Sequence, residues 1–287
     1  GAVLQLTGEA SFSETSDLDV DGTLRVLGGA TTLNGSADIA DLNVQSGTMV
    51  IADSSAVNNL LLTGGTLEIL GGASLSSVDV QGGVLVLAGD VEISASFAQT
   101  AGTIQLVGGA TLDLSAFVLT GASISGSDAN DFIDATGSGD TVFGGAGADR
   151  LAGWAGEDWL SGESGADTLI GGGGRDTLTA GDGADLFVFD ILETDENSDL
   201  LIDFAGSGLD GDTIQLRGSV FSSIGLSLTA NEFAFGTQAQ DGDDRIVYDQ
   251  SEGILYYDSN GNVDGGQVLL ATLANRADLS VSDFQII

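Results

Sequence analysis

The chain has 287 residues, of which 42% are hydrophobic, and its 43 acidic residues face only six arginines, with no lysine and no histidine. The net charge of −37 repels nucleic acids and anionic lipids, so it excludes both as partners and favours cations. The absence of cysteine excludes disulfides, zinc–thiolate sites and thiol nucleophiles. No apolar run reaches the roughly 18 residues that span a bilayer, and no Sec-type signal opens the chain. We therefore expect no membrane insertion, and export by another route.

Coils that begin with glycine fill the first part of the chain. The 45 glycines, the lack of proline and the short apolar runs predict strands and turns throughout. Up to residue 125, an alternating apolar strand follows a glycine at spacings of 21, 25, 18, 18 and 19 residues, namely at Gly1, Gly22, Gly47, Gly65, Gly83 and Gly102. A second and a third short strand follow within a coil, for example Ala73–Leu75 and Val78–Val80. These repeats predict a parallel β-solenoid with three strands per coil.

One such coil cannot bury its inward side chains alone, whereas stacked coils share an apolar column. The side chains predicted to point inward are Leu24, Val26, Leu67, Ile69, Leu85, Leu87, Ile104 and Leu106. Because the chain opens directly on a coil, without a methionine or a polar cap, we expect it to be part of a longer protein. An uncapped coil also invites stacking, so we expect self-association through the solenoid ends or surfaces.

Aspartate recurs at every ninth position between Gly126 and Asp190. The seven positions are Asp131, Asp140, Asp149, Asp158, Asp167, Asp176 and Asp185. Two residues after each aspartate comes an apolar residue, namely Ile133, Val142, Leu151, Leu160, Leu169, Leu178 and Phe187. Solvated surface aspartates have no reason to keep this register, so the spacing indicates a repeated structural unit.

The best copies of this unit are Gly144-Gly-Ala-Gly-Ala-Asp-Arg-Leu-Ala and Gly171-Gly-Gly-Gly-Arg-Asp-Thr-Leu-Thr. They match the pattern G-G-x-G-x-D-x-U-x, where U is a large apolar residue. The chain here resembles the RTX, or hemolysin-type, calcium-binding family. The resemblance implies a parallel β-roll in which six residues form a turn and three form a short strand, with two nonapeptides in each coil.

The residue types suit calcium without reference to the family. Glycine permits backbone with positive φ, which lets carbonyl oxygens turn toward one point, and calcium takes six to eight oxygens. One turn cannot supply them all, but turns stacked 18 residues apart can share an ion. One edge of the roll would carry Asp131, Asp149, Asp167 and Asp185, and the other Asp140, Asp158 and Asp176. Three gaps on one edge and two on the other predict about five calcium ions.

The predicted calcium ligands are Asp131, Asp140, Gly144, Ala146, Asp149, Gly153, Ala155, Asp158, Gly162, Ser164, Asp167, Gly171, Gly173, Asp176, Asp182 and Asp185. The ends of the run depart from the pattern. Ala135 and Ala180 replace the first glycine, Ser127 and Thr136 replace the second, and Ser138 replaces the fourth-position glycine. The turns of Asp149, Asp158, Asp167 and Asp176 therefore match the pattern of a calcium site best, and the turns of Asp131 and Asp140 match it least.

Charge and affinity together predict a folding switch. Residues 126–190 hold 13 acidic residues and two arginines, a net charge of −11 that five calcium ions would nearly cancel. Extracellular calcium modules bind at roughly 10⁻⁴ to 10⁻³ M, so this segment would be empty and unfolded inside a cell and filled outside. The family resemblance implies type I secretion, which passes the chain unfolded and reads a C-terminal signal. We therefore expect a secreted or extracellular protein, including one held at the cell surface.

The remaining chain predicts a β-rich cap. The segments Asp199–Phe204 and Gly211–Leu216 are similar to those that follow the roll in RTX proteins, including serralysin-type proteases. Asp244–Asp249 and Gly253–Asp258, followed by an Asn-Gly turn, predict a hairpin. The end, Asp283–Ile287, is similar to type I secretion termini. Asp258, Asn260, Asn262 and Asp264 are spaced like calcium-loop ligands, but Leu269 stands where an EF-hand has its glutamate, so a plain turn is favoured.

The sequence thus predicts three segments: a solenoid at 1–125, an RTX β-roll at 126–190, and a cap with the secretion signal region at 191–287. Two functions remain open. The first is a secreted or cell-surface structural protein, such as an adhesin, a surface-layer protein or a matrix component. The second is the C-terminal secretion and targeting module of a larger extracellular enzyme, for example a protease, a lipase or a polysaccharide-modifying enzyme. Catalysis by the solenoid itself is not expected, because its outward acids, Asp19, Asp21, Glu68 and Asp79, are scattered.

Overall fold

The computed structural model describes residues 3–12, 18–52, 55–89, 91–117, 121–192, 198–206, 211–263 and 265–287. These residues form β-strands and turns, with one short 3-10 turn at Val281–Asp283, which confirms the all-β prediction. Within the described ranges, no helix has the length and apolar character to cross a membrane. The chain divides into two compact units, Gly1–Gly145 and Ala146–Ile287. Gly1 and Asp264, both named in the sequence predictions, lie outside the described residues.

The first unit contains sixteen strands in the described ranges. They are β1 (Val3–Leu6), β2 (Ala10–Phe12), β3 (Leu18–Val26), β4 (Ala30–Leu33), β5 (Ala37–Val44), β6 (Thr48–Ala52), β7 (Ala56–Leu62), β8 (Thr66–Leu70), β9 (Ser74–Val80), β10 (Val84–Ala88), β11 (Glu92–Gln99), β12 (Thr103–Val107), β13 (Thr111–Asp113), β14 (Ser123–Ser125), β15 (Phe132–Asp134) and β16 (Thr141–Ala146).

These strands form a parallel β-solenoid, as the repeats predict. The odd strands β1 to β11 lie side by side in one sheet, the even strands β2 to β16 lie side by side in a second, and β13 pairs with β15. Each strand pairs in parallel with the equivalent strand of the next coil, so that Leu67 of β8 lies between Met49 of β6 and Leu85 of β10. The fold is therefore built from stacked coils of about 18 residues.

The core of this unit is the predicted apolar column. All eight side chains predicted to point inward, from Leu24 to Leu106, are at most 1% exposed. Strand β8 shows the pattern clearly, since Leu67 and Ile69 are buried while Thr66, Glu68 and Leu70 are not. The alternation of apolar and polar residues thus selects the inward face of each strand.

The prediction that Gly22 begins a coil is wrong. Gly22 lies inside β3, a strand whose partner is β1. The glycines that stack in one column are Gly29, Gly47, Gly65, Gly83 and Gly102, all with φ between +76° and +87°. A Cβ atom on Gly65 would collide with the carbonyl oxygen of Gly47 below it. The close approach of successive backbones, rather than the strand that follows, therefore defines this column.

The number of strands in a coil is also smaller than predicted. The two short strands predicted at Ala73–Leu75 and Val78–Val80 belong to one strand, β9, which runs from Ser74 to Val80. Its buried residues are Leu75, Val78 and Val80, so the alternation slips by one residue at Ser76 and Ser77. In this coil one longer strand therefore replaces two of the predicted short strands, and the alternation of buried residues shifts by one position in its middle.

The second unit contains β17 to β28. They are β17 (Arg150–Ala155), β18 (Trp159–Ser164), β19 (Thr168–Gly173), β20 (Thr177–Asp182), β21 (Leu186–Phe189), β22 (Asp199–Leu201), β23 (Thr213–Leu216), β24 (Phe233–Phe235), β25 (Ile246–Asp249), β26 (Ile254–Asp258), β27 (Gln267–Leu273) and β28 (Phe284–Ile286). One sheet has the order β17-β19-β21-β23-β28, and the other has the order β18-β20-β22-β27-β26-β25-β24. Strands β17 to β20 have six residues each rather than the implied three, because their pairing continues into the turns.

The C-terminal part adds antiparallel strands to the parallel roll. β25 and β26 form the predicted hairpin, and β26 pairs antiparallel with β27 across a loop that includes Asn260 and Gly261. Gly261 has φ +70°, the backbone that an Asn-Gly turn requires. The last strand, β28, pairs in parallel with β23.

Candidate calcium-binding turns

The nonapeptides place an aspartate and an apolar residue inside the fold at every turn. In the second unit, Leu151, Leu160, Leu169, Leu178 and Phe187 are at most 1% exposed, and the five aspartates that precede them, Asp149, Asp158, Asp167, Asp176 and Asp185, are at most 2% exposed. The apolar side chains fill the space between the two sheets. The carboxylates are therefore buried at the sheet edges, where a charge needs a partner.

One carboxylate oxygen of Asp167, Asp176 and Asp185 connects neighbouring turns. The Asp149 N–H donates to Asp167 Oδ1 at 2.8 Å, and the Asp167 N–H donates to Asp185 Oδ1 at 2.7 Å. On the other edge, the Asp158 N–H donates to Asp176 Oδ1 at 2.8 Å. Alternate aspartates, 18 residues apart, are thus stacked on one edge, as the spacing predicts.

The second carboxylate oxygen of Asp167 and that of Asp185 lack such a partner. Both Oδ2 atoms are buried, and no donor among the described residues reaches them. Burying a charged oxygen without a hydrogen bond is costly. A bound cation would remove this cost.

A small space between turns brings oxygens of two turns together. A Cβ atom on Gly162 would collide with Asp167 Oδ2 and would lie 2.6 Å from the Ala180 carbonyl oxygen of the next turn. On the other edge, a Cβ on Gly153 would collide with Asp158 Oδ2 and would lie 2.8 Å from the Gly171 carbonyl oxygen. Glycine keeps each space open for something other than a side chain, and carboxylate and carbonyl oxygens are the ligands that calcium prefers. The residues present fit a calcium ion.

The predicted backbone ligands separate into two groups. Those at the first position, Gly144, Gly153, Gly162 and Gly171, are buried, whereas those at the third position, Ala146, Ala155, Ser164, Gly173 and Asp182, are partly or fully exposed. Third-position carbonyls link the turns, since the Gly147 N–H donates to Ser164 O at 2.9 Å and the Gly156 N–H donates to Gly173 O at 2.8 Å. The carbonyl oxygen has a second lone pair, so these contacts leave it able to bind an ion.

Comparison with known proteins identifies the family of these nonapeptides. The RTX calcium-binding nonapeptide repeat family matches residues 125–160 and 155–187, with four copies of the repeat in the family model. Residues 125–187 are an RTX calcium-binding repeat region. Among solved structures, the chain is similar to the solution structure of the AlgE6R3 subunit from the Azotobacter vinelandii mannuronan C5-epimerase, with 27% identity, a TM-score of 0.27, and coverage of 55% of this chain and 78% of that one. No curated protein matches the chain.

The RTX turns raise the pKa of their own carboxylates. The pKa of Asp167 is raised to about 6, chiefly by burial and also by the neighbouring charges of Asp149 and Asp185, while the hydrogen bond from the Asp149 backbone lowers it. Burial also raises the pKa of Asp185 and of Asp140. Like charges are thus stacked in a site of low polarity, and a divalent cation would favour their ionised form.

No group of three or more carboxylates that could hold a metal occurs in the part of the chain that the structure describes. This agrees with the RTX geometry, because each gap between turns contributes two aspartates at most and the other oxygens must come from the backbone. The calcium sites are therefore recognisable by the repeated turn rather than by a cluster of acidic side chains.

The RTX ladder continues past the nonapeptides through residues that the sequence predictions missed. The Asp176 N–H donates to Asp199 Oδ1 at 3.1 Å, and the Asp185 N–H donates to Asp212 Oδ1 at 3.1 Å. Asp203 accepts from the N–H groups of Ala180 and Gly181 at 2.9 and 3.0 Å. The pattern of an aspartate followed two residues later by an apolar residue is present at Asp199 and Asp212, but the spacing of nine is not.

The two initial aspartates are also buried in the first unit. Asp131 is 3% exposed and Asp140 is 2% exposed. Asp131 Oδ1 accepts from the Ala110 N–H at 2.7 Å, and Asp140 Oδ1 accepts from the Ala122 N–H. Backbone amides of the solenoid coil therefore take the position that an aspartate amide has in later turns.

Proposed function

We propose that the chain is a secreted or cell-surface structural protein, of the adhesin, surface-layer or matrix kind, whose RTX roll folds when calcium binds after type I secretion. The observation that carries this proposal is the set of buried carboxylates at the turns, with Asp167 Oδ2 and Asp185 Oδ2 lacking any donor in the described residues. A roll with this charge is unstable without a cation and stable with one. Calcium outside the cell would therefore control folding.

The position of the C-terminal strand supports export before folding. The final residues, which resemble type I secretion termini, lie in β28, and β28 pairs with β23, which pairs with β21 of the roll. Asp283, the last residue of the 3-10 turn before this strand, is 1% exposed, whereas Ile287 is 52% exposed. Strand pairing therefore holds the backbone of this segment in the folded protein, although some of its side chains are exposed. Its backbone would be free for the export machinery while the roll is unfolded, as in a cytoplasm poor in calcium.

The role in assembly is tested on the polypeptide 1–287 by itself. In this polypeptide β1 pairs with β3 on one side, and its Val3 and Leu4 are 52% and 41% exposed. Exposed apolar side chains on an outer strand favour pairing with another chain, so we propose that this polypeptide self-associates through β1.

Sedimentation velocity at millimolar calcium tests the assembly role. We expect oligomers from the native chain and monomers from Leu4→Asp, because a charge on the outer strand opposes pairing. Leu226→Asp is the matched control, since Leu226 is 98% exposed and lies outside the strands; this variant should associate like the native chain. A native chain that stays monomeric at every concentration would count against assembly.

The second function, a targeting module of a larger extracellular enzyme, is favoured by one feature. The turns from Asp149 to Asp185 and the strand that carries the secretion-like end all lie in the second unit, Ala146–Ile287, so we propose that this unit alone would suffice for export and calcium-driven folding. The two functions differ in what the gene encodes before residue 1. A catalytic domain there would favour the targeting module. Under either function we propose that residues 1–287 have no catalytic activity of their own.

A further inference from the structure

The turns of Asp131 and Asp140 differ from later turns in what contacts the second carboxylate oxygen. Asp140 Oδ2 accepts hydrogen bonds from the Thr136 N–H at 2.7 Å and from the Thr136 hydroxyl at 2.8 Å. Asp131 Oδ2 accepts the same two bonds from Ser127, at 2.6 and 2.8 Å. The equivalent atom of Asp167 is buried and receives no hydrogen bond from the described residues.

We propose that the Asp131 and Asp140 turns close without calcium, because the hydroxyls of Ser127 and Thr136 occupy the place of the ion. The calcium-binding part of the roll then begins at the Asp149 and Asp158 turns. Ser127 and Thr136 stand at the second position of their nonapeptides, where the pattern has glycine. At these two positions the hydroxyl that replaces glycine therefore binds the carboxylate in place of the metal.

The physical basis is the balance of donors at a buried carboxylate. Hydrogen bonds to an ionised group are about twice as strong as those between neutral groups. An Oδ2 atom that receives both an N–H and an O–H is satisfied, so binding an ion there would first break these contacts. Thr136 is 0% exposed, so no water competes with its hydroxyl for Asp140. With both donors in place, the Oδ2 atoms of Asp131 and Asp140 are poorer calcium ligands than that of Asp167, even though Gly126 keeps a space between Asp131 Oδ2 and the Gly144 carbonyl oxygen.

Two consequences follow for the molecule. The unit Gly1–Gly145 has an apolar core and satisfied turn carboxylates, so it folds without calcium. Of the five predicted ion positions, those that need Asp131 or Asp140 are lost. The three that remain lie between Asp149 and Asp167, between Asp167 and Asp185, and between Asp158 and Asp176.

Hydrogen–deuterium exchange of the full chain, read by mass spectrometry with and without calcium, tests the inference. In calcium-free buffer we expect slow exchange for the peptides that cover 123–143 and fast exchange for those that cover 159–189. Calcium should slow the second group and leave the first unchanged. Fast exchange of 123–143 in calcium-free buffer, slowed by calcium, would overturn the inference.

Three variants test whether the Thr136 hydroxyl causes the slow exchange of the Asp140 turn in calcium-free buffer. Thr136→Val keeps the shape of the side chain but removes the donor, so exchange in the Asp140 turn should rise about tenfold or more in calcium-free buffer. Thr136→Ser keeps a hydroxyl and should remain close to the native protein. Ser138→Ala, in the same turn, removes a hydroxyl that does not contact Asp140 in the structure and serves as the control. Equal exchange in Thr136→Val and Ser138→Ala would contradict the inference.

The exchange experiment can support or contradict this inference independently of the proposed function. If 159–189 were protected without calcium, the calcium switch of the proposed function would fail. The inference depends on the peptides of 123–143 and on the Thr136 variants, and protection of those peptides in calcium-free buffer would still support it.

Discussion

The two carboxylate oxygens of an RTX aspartate make different contacts. Asp167 Oδ1 accepts the N–H of Asp149, a contact that needs no metal and fixes the turn. Asp167 Oδ2 faces the space above Gly162, where its charge is buried near those of Asp149 and Asp185. The metal-free roll therefore holds buried charge, and the burial of these carboxylates, with a smaller contribution from the repulsion between them, makes it unstable.

The raised pKa values of these buried carboxylates predict how pH affects the calcium-free protein. The folded-state pKa of Asp167 and that of Asp212 are raised to about 6 from an ordinary value near about 3.9. A raised pKa contributes stability that is full below the unfolded value and is lost as pH rises through the folded value. In calcium-free buffer, far-UV circular dichroism should therefore show more of the roll's β-sheet signal at about pH 5 than at about pH 7, because the change in pH costs the folded state about 1 kcal/mol at Asp167.

The net negative charge of the chain also lowers its stability as pH rises. A matched pair of variants therefore separates the effect of Asp167 from that of the overall charge. Asp167→Asn keeps the oxygen that accepts the Asp149 N–H but cannot ionise, and it should flatten part of the pH slope. Glu157→Gln removes an equal charge from a side chain that is 74% exposed and should keep the native slope. A calcium-free protein that becomes more stable with rising pH would show that burial does not control these groups.

Sequence reasoning located the buried turn aspartates where their spacing is regular. The seven aspartates keep a period of nine, and the stacking of alternate aspartates follows from the two nonapeptides per coil. Asp199 and Asp212 escaped prediction because the chain between turns lengthens to 23 and 27 residues. The donors on Asp131 and Asp140 could not be foreseen, because a serine or threonine in place of glycine does not reveal where its hydroxyl points.

At the scale of the elements, the glycine column sets the distance between coils of the solenoid. Gly47, Gly65 and Gly83 have φ between +77° and +83°, and each lies directly against the carbonyl oxygen of the glycine one coil earlier. A side chain at these positions would meet both an unfavourable backbone conformation and the neighbouring coil. The column is therefore a condition for the parallel pairing of the flanking strands.

Replacing one glycine of the column should destabilise the first unit. Gly65→Ala places a Cβ atom against Gly47 O at φ +77°, so we expect a loss of about 2–4 kcal/mol in the free energy of unfolding. Gly72→Ala is the control: no atom lies within 4 Å of its added Cβ, and the change should be about 1 kcal/mol or less. Urea unfolding followed by circular dichroism measures both. Equal stability of the two variants would mean that the column does not set the coil spacing.

The solenoid could be predicted from alternating apolar residues, but its boundaries could not. Leu67 and Ile69 are buried as predicted, since alternation depends only on which face meets the core. Gly22 was misassigned because a glycine followed by an alternating strand occurs in both sheets. The continuity of β9 depends on hydrogen bonds between coils, which the order of residues within one coil does not show.

At the scale of the whole molecule, the two units differ in what compensates the charge of their turn carboxylates. The chain carries a net charge of −37, and such repulsion opposes compaction unless cations offset it. In the second unit the turn carboxylates are buried at the sheet edges, where calcium can neutralise them. In the first unit the apolar column supplies the core, and the turn aspartates have protein donors. The two units therefore differ in their need for calcium, although both are parallel β structures.

Far-UV circular dichroism of the full chain against free calcium tests this calcium dependence most directly. Calcium-free protein should keep part of its β-sheet signal, and calcium should restore the rest with a midpoint of roughly 10⁻⁴ to 10⁻³ M. Magnesium should not replace it, because it demands octahedral geometry and gives up its waters reluctantly. A spectrum that is identical in chelator and in calcium, with all the β-sheet signal present in both, would contradict a roll that folds on its ions.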